Sequence, residues 1–218
     1  MEYADKLQKY LVNHTRLGIP ALIHCEASAG AQFTEADVFP SAIAQASTFD
    51  TEVVGEMTDI IRKQMYYVGF RQALSPVVDI TRDPRWGRIT ETYGEDAALT
   101  SAMASAFVKG IQGDELKEGV LATAKHFAGH GITEGGLNMG RNIVSERDMR
   151  EIHCKPFQCA ITEAGLKSVM NSYCSVNGEP VVGSKKMLTD ILRGEMGFQG
   201  FVAVSYTHLR AHETGRNL

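Results

Sequence analysis

Residues 119–127 read GVLATAKHF, an almost continuous apolar run that ends near Lys125 and His126. Continuous hydrophobicity over so short a run is typical of a strand that is buried on both faces of a parallel sheet. Four further runs have the same character: Gly18–His24, Gln72–Ile80, Leu166–Tyr173 and Gln199–Val204. The sequence therefore predicts five buried strands.

Segments with helical periodicity separate these strands, and each has a start and a stop signal. The predicted helices extend over Asp50–Gly69, Glu95–Gly113, Ser145–Pro156, where the proline interrupts the helix, and Ser184–Gly197. The resulting order, β-α-β-α-β-α-β-α-β, favours a parallel sheet with right-handed crossovers. A complete barrel of this kind needs about 250 residues, whereas this chain has 218. The predicted fold class is α/β, a partial (β/α)8 TIM-type barrel with about five strand-helix units and without its closing units.

The composition disfavours several classes of protein. The formal net charge is −4 and no run of five like charges occurs, which argues against nucleic-acid binding. No apolar stretch approaches the roughly 20 residues that span a bilayer, so no membrane partner is expected. The four cysteines form no Cys-x-x-Cys pair, and neither a convincing metal-ligand pattern nor a phosphate-binding glycine loop occurs. We expect no metal and no cofactor.

Polar side chains follow four of the predicted strands at the point where each strand ends. They are His24 and Glu26, Asp79 with the segment Arg82–Arg88, Lys125 and His126, and Asn171 and Tyr173. Unpaired charges are costly to bury at such positions, so their convergence on one edge of a parallel sheet predicts a ligand site. Lys125 and His126 are adjacent and would point to opposite faces of a regular strand. We therefore expect the strand to be irregular where it ends.

Four motifs, in this order, carry a family resemblance. They are DPRWGR at residues 83–88, E-x-YGED at 91–96, KHF at 125–127 with Gly129 behind it, and GFQGFV at 197–202. Together they resemble the amino-terminal barrel of glycoside hydrolase family 3, the β-glucosidases and β-xylosidases. The resemblance covers about residues 5 to 203, and it implies an enzyme that acts on small β-glucosides or oligosaccharides.

The resemblance also implies a site for the terminal sugar. By its motifs, Glu26 is an acidic ligand for sugar hydroxyls, and Arg88, Lys125, His126 and Tyr173 surround the same sugar ring. The family resembles the general retaining scheme, in which one carboxylate attacks the anomeric carbon and a second carboxyl acts as acid and then as base. A second α/β domain is expected to complete the site in the parent protein. Glucose and xylose are not distinguished.

The nucleophile expected by resemblance is absent from this sequence. The family pattern continues from the GF-x-GF strand into Ser-Asp, whereas here Ser205 is followed by Tyr206. Residues 204–218 differ in character from the rest, and we interpret them as a non-native tail after a partial barrel domain at 1–203. We expect this chain to be inactive, and its start to be shortened as well, so no localisation is predicted.

Several alternatives remain open at this point. Gly129-His130-Gly131 is reminiscent of the family's β-N-acetylglucosaminidases, although Thr133–Asn138 fits the glucosidase group better. Lys125 could form a Schiff base in an aldolase-like barrel, and His24, Glu26 and His126 could hold a metal. A non-enzymatic sugar-binding piece is a further possibility.

Three groups of residues near these candidates also have purely structural interpretations. Trp86 is expected to pack its loop onto the barrel rather than to stack on a sugar. Asp79 and Arg85 could serve as loop ion pairs as easily as ligands. Glu91, with Glu95 and Asp96, is expected to cap the next helix and complement its dipole.

Overall fold

The computed structural model describes residues 2–204, and its centre is a parallel sheet of five strands. These strands are β1 (His24–Cys25), β2 (Gln72–Ala73), β3 (Leu121–Phe127), β5 (Ser168–Asn171) and β8 (Phe201–Ala203). They lie side by side in the order β1-β2-β3-β5-β8, and every neighbouring pair is parallel. The prediction of an α/β fold with five parallel strands in chain order is confirmed.

The first two strands are much shorter than the apolar runs that predicted them. In the first run, Ile19 and Leu22 are 63% and 47% exposed, so this segment approaches the sheet only at His24. In the second, Pro76 follows Ala73 closely and has no N–H to donate to a ladder. Residues 77–80 are nevertheless buried, and the Val78 N–H donates to the Lys125 carbonyl at 2.8 Å.

A small second sheet was not predicted. It consists of β4 (Arg141–Asn142), β6 (Ser175–Val176) and β7 (Glu179–Pro180), with β4 parallel and β7 antiparallel to β6. Its strands belong to the segments that follow β3 and β5. Two-residue strands of this kind leave no periodic signal in a sequence.

Helices separate the strands of the main sheet as expected, and a further helix, α1 (Glu2–His14), precedes β1. The helices between the strands are α2 (Ala42–Ala46), α3 (Thr51–Val68), α4 (Ala97–Gln112), α5 (Glu146–Asp148), α6 (Lys155–Ala164) and two π-helical segments, Met149–His153 and Lys186–Glu195. Asp50 caps α3 by accepting hydrogen bonds from the Glu52 and Val53 N–H groups, and Gly69 ends it with a φ of 99°. The Ser145 side chain caps α5.

The third predicted helix is divided differently from the expectation. Pro156 lies in the first turn of α6 and so begins a new helix, because its missing N–H has no partner at that position in any case. The turns before Pro156 are α5 and the π-helical segment, which differ in their winding. The sequence pattern had predicted these turns as one helix.

The core lies between the sheet and α3, α4 and α6, where α4 packs against both of the others. Its largest buried side chains include Ile61, Met65, Phe107, Phe127 and Phe157. This packing fixes the strands, and their carboxyl ends carry the site described next. Among residues 2–204, no helix has both the length and the apolar character needed to cross a membrane.

Candidate active site

The end of β3 is irregular, as the sequence predicted. Lys125 pairs with Met170 and Phe127 pairs with the next residue, Asn171, so that His126 is skipped in the register. The peptide bonds Lys125–His126 and Phe127–Ala128 are both cis. Because of the shifted register, the adjacent side chains of Lys125 and His126 both join the same polar cluster.

Lys125 forms an ion pair with Glu26 that links the ends of β3 and β1. Its Nζ lies 2.6 Å from Oε1 of Glu26, and its side chain is only 4% exposed, against 36% for Glu26. The Ser75 hydroxyl lies 3.5 Å from the other carboxylate oxygen. Burial of the ammonium is tolerated because the carboxylate pairs with it. The exposed part of Glu26 remains available to a ligand.

Arg88 connects the DPRWGR loop to the same cluster. Its Nε and Nη2 donate to the two carboxylate oxygens of Glu91 at 2.8 and 2.7 Å, and its Nη1 lies 3.2 Å from Nε2 of His126. These hydrogen bonds from Arg88 lower the pKa of Glu91 and raise that of Arg88. The bidentate contact between Arg88 and Glu91 fixes the plane of the guanidinium group.

The expectation for Glu91 was wrong. It lies in a 3-10 turn, Ile89–Glu91, and is the partner of Arg88 rather than a cap of the next helix. Asp96 does cap α4, since its side chain accepts a hydrogen bond from the Leu99 N–H. The three-residue spacing between Arg88 and Glu91, which suits an ion pair within one helical turn, was the available signal.

His126 is held from its other side by Asp79. Oδ2 of Asp79 lies 2.8 Å from Nδ1 of His126 and accepts the backbone N–H of the same residue at 3.2 Å. Both side chains are almost fully buried. Burial lowers the pKa of His126 well below its ordinary value and raises the pKa of Asp79. Arg85, the other candidate loop ion pair, instead binds Asp83 at 2.7 Å.

The remaining predicted residues are placed as follows. Tyr173 follows the end of β5, a neighbour of β3, by two residues and is half-buried. Trp86 is buried edge-on against His130, with ring centroids 5.7 Å apart, so it packs its loop as expected. His24 is exposed, and among residues 2–204 no group of three His, Cys, Asp or Glu side chains is placed to hold a metal ion.

A cleft of about 920 Å³ opens beside the cluster. Glu26 and Glu91 lie on its wall, and the loop that follows β1 supplies most of the rest. The site thus combines an open space with a buried set of charge-paired donors and acceptors at the carboxyl edge of a parallel sheet. Such an arrangement can bind a small polar molecule through many directed hydrogen bonds.

The sequence model of the glycosyl hydrolase family 3 N terminal domain matches residues 2–214. The chain belongs to glycoside hydrolase family 3. A β-xylosidase from Formosa agariphila is 39% identical over 197 residues, which cover 86% of this chain and 27% of that protein. A probable β-glucosidase C from Aspergillus flavus is 36% identical over 225 residues, covering 94% of this chain and 35% of that protein.

Solved structures of family 3 β-glucosidases have the same fold. A β-glucosidase from Erythrobacter marinus superposes with a TM-score of 0.89 at 32% identity, covering 95% of this chain and 29% of that one. A variant of a Listeria innocua β-glucosidase, solved with laminaribiose, gives 0.88 at 33% identity, covering 98% and 30%. This chain spans about a quarter to a third of the length of these relatives. The barrel-type fold class predicted from the sequence is confirmed.

Proposed function

We propose that this family 3 chain supplies the sugar-binding residues of a retaining β-glycosidase. The enzyme removes terminal, non-reducing β-D-glucosyl or β-D-xylosyl residues. The observation that carries the proposal is the convergence of Glu26, Lys125, Arg88 and His126 beside an open cleft. Tyr173, on the next strand's loop, is assigned to the same sugar.

The chemistry of these side chains suits a hydroxyl-rich ligand. The Glu26 carboxylate has spare lone pairs and accepts hydroxyl hydrogen bonds, while the Lys125 ammonium donates from its flexible arm. Arg88 uses one N–H each of Nε, Nη1 and Nη2 within the protein. The guanidinium has five N–H groups, so two stay available for sugar oxygens.

The hydrolytic step requires carboxyls beyond this set. A retaining enzyme needs a nucleophile and an acid/base about 5 Å apart, and by resemblance the nucleophile follows the strand that corresponds to β8. Position 206, where this sequence has tyrosine, lies outside the described residues. We propose that the chain as it stands binds sugar but does not hydrolyse it.

The domain organisation follows the same reasoning. We propose a partial barrel domain at 1–203 followed by a non-native segment at 204–218, although the family match continues to residue 214. The shared region is 27% of one relative and 35% of the other, so the relatives are about three to four times as long as that region. A second domain that completes the site in the parent protein is consistent with that difference.

Two earlier alternatives lack support, one from the site and one from the relatives. A Schiff base forms from a neutral amine, whereas Lys125 is an ion-paired ammonium beside Glu26. The relatives cited above are named β-xylosidase and β-glucosidase rather than N-acetylglucosaminidase. We therefore keep glucosides and xylosides as the proposed substrates.

Calorimetric titration of the 218-residue chain with glucose, xylose and isofagomine tests the proposal. Lys125→Ala should weaken binding at least tenfold, about 1.4 kcal/mol, because the sugar loses a donor and Glu26 loses its partner. Lys117→Ala is the matched control, since Lys117 forms an exposed ion pair with Glu115. Equal binding by both variants, no binding by the unmodified chain, or turnover of an aryl β-glucoside would contradict the proposal.

A further inference from the structure

We propose that Asp79 is a positioning residue that fixes the tautomer of His126, so that Nε2 of His126 is the hydrogen-bond acceptor that holds Arg88 at the sugar site. The identity of the ligand rests on the function proposed above, whereas the tautomer does not. Asp79 was only an undecided candidate in the sequence, and its role emerges from the contacts at both ring nitrogens of His126.

The first step concerns Nε2 of His126. This atom lies 3.2 Å from Nη1 of Arg88, and a guanidinium group has hydrogen-bond donors but no acceptor. A proton on Nε2 would place two donors against each other. Nε2 must therefore carry a lone pair and accept from Arg88.

The second step concerns Nδ1. A neutral imidazole with an unprotonated Nε2 carries its proton on Nδ1, and this N–H donates to Oδ2 of Asp79 at 2.8 Å. The same oxygen accepts the backbone N–H of His126. With two donors directed at it, Oδ2 carries no proton, and the loop carrying Asp79 and the end of β3 are held in register.

The third step is the consequence for a ligand. Glu91 holds Arg88 by two hydrogen bonds, and the Nε2 lone pair of His126 accepts a third, so the guanidinium group is fixed from two sides. The N–H groups of Arg88 that remain can only donate, so a sugar oxygen that reaches them must accept. Asp79, which is itself buried and does not line the cleft, thereby acts on the sugar site through His126 and Arg88.

The test is the imidazole ¹⁵N spectrum of the histidine-labelled 218-residue chain, with the His126 signals assigned by His126→Gln. The unmodified chain should show only the Nδ1–H tautomer. Asp79→Asn, whose amide oxygen can replace Oδ2, should keep it, and Asp79→Leu should produce the Nε2–H form or a mixture. Asp114→Leu, which alters an exposed carboxylate, should change nothing.

Two outcomes would overturn the tautomer assignment: an Nε2–H or doubly protonated His126 in the unmodified chain, or a pure Nδ1–H form in folded Asp79→Leu. If Asp79→Leu does not fold, the unmodified chain and Asp79→Asn still decide. Folded Asp79→Leu should also bind glucose more weakly than Asp79→Asn does, because Arg88 loses its acceptor at Nε2 of His126. Equal calorimetric glucose binding by the two variants would refute the positioning role, whereas absence of binding to the unmodified chain would instead refute the proposed function.

Discussion

Arg88 is the residue on which most of the candidate site depends. It donates to both oxygens of Glu91 and to His126, and only a planar group with several fixed donors can do this at once. A lysine at this position has the same charge but a single nitrogen. The arrangement of the neighbouring side chains therefore follows from the shape of the guanidinium group as much as from its charge.

We expect Arg88→Lys to weaken glucose binding almost as much as Arg88→Ala. Each lost hydrogen bond to a charged group costs about 1.5–3 kcal/mol, and the lysine cannot maintain the contacts to Glu91 and His126 together. Calorimetric titration measures the loss, with Arg85→Lys, an exposed arginine of the same loop, as control. Full retention of affinity in Arg88→Lys would show that charge alone is sufficient.

For single residues, the sequence predicted which side chains lie at the site better than it predicted the hydrogen bonds between them. The resemblance and the strand-end pattern both indicated Glu26, Arg88, Lys125 and His126, which the structure brings together. Glu91 was assigned to a helix start, because an acidic residue before a helix has an ordinary explanation. Asp79 remained ambiguous, because only the tertiary structure places it against Nδ1 of His126.

At the scale of elements, the crossing of α3 and α4 depends on one glycine. A Cβ added at Gly110 of α4 would lie 1.9 Å from Oγ1 of Thr58 and 2.6 Å from the Gly55 carbonyl oxygen, both in α3. Because α4 also packs against α6, it cannot move away freely. The close approach of these two helices supports the buried side of the sheet.

Gly110→Ala should therefore destabilise the chain, by about 1–3 kcal/mol for an overpacked contact. Gly55→Ala provides the matched control, since a Cβ there would have no neighbour within 4 Å. That change should be neutral or stabilising by up to about 1 kcal/mol, because alanine favours a helix. Urea unfolding followed by circular dichroism measures both, and equal effects would contradict the helix-crossing argument.

Elements with strong periodicity were predicted well and short ones were not. The caps at Asp50 and Asp96 and the end at Gly69 are local signals, and the structure has them as expected. The strand runs before His24 and after Ala73 were too long in the prediction, because hydrophobicity reports burial and not ladder pairing. Residues 77–80 are buried without forming a regular strand.

At the scale of the whole molecule, a layer of buried polar groups lies beneath the site. His130 and His153 are fully or almost fully buried, and burial lowers the pKa of each to about 4. His130 also experiences the charges of Asp79 and Arg88. The fold thus keeps these two histidines neutral behind the residues proposed to bind the sugar. Each would take up a proton readily in the unfolded chain.

This burial predicts that the chain loses stability on acidification between about pH 6.5 and pH 4. In that pH window His130 and His153 are protonated in the unfolded chain and remain neutral in the folded chain. The free energy of unfolding therefore falls as pH falls. The raised pKa of Asp79 acts in the opposite direction. Urea unfolding at pH 7.5 and pH 5 measures the net effect. We expect the histidines to dominate, so that the free energy of unfolding is lower at pH 5 by about 1–3 kcal/mol.

A variant comparison separates the histidine contribution from the other titrating groups. His153→Leu should reduce the loss between the two pH values, because His153 is buried, its Nδ1 has no hydrogen-bond partner among the described residues, and leucine does not titrate. His14→Leu, at an exposed position of α1, should leave the loss unchanged. If His153→Leu kept the full pH dependence, or if the unmodified chain became more stable on acidification, burial of neutral histidines would not govern the acid response of this fold.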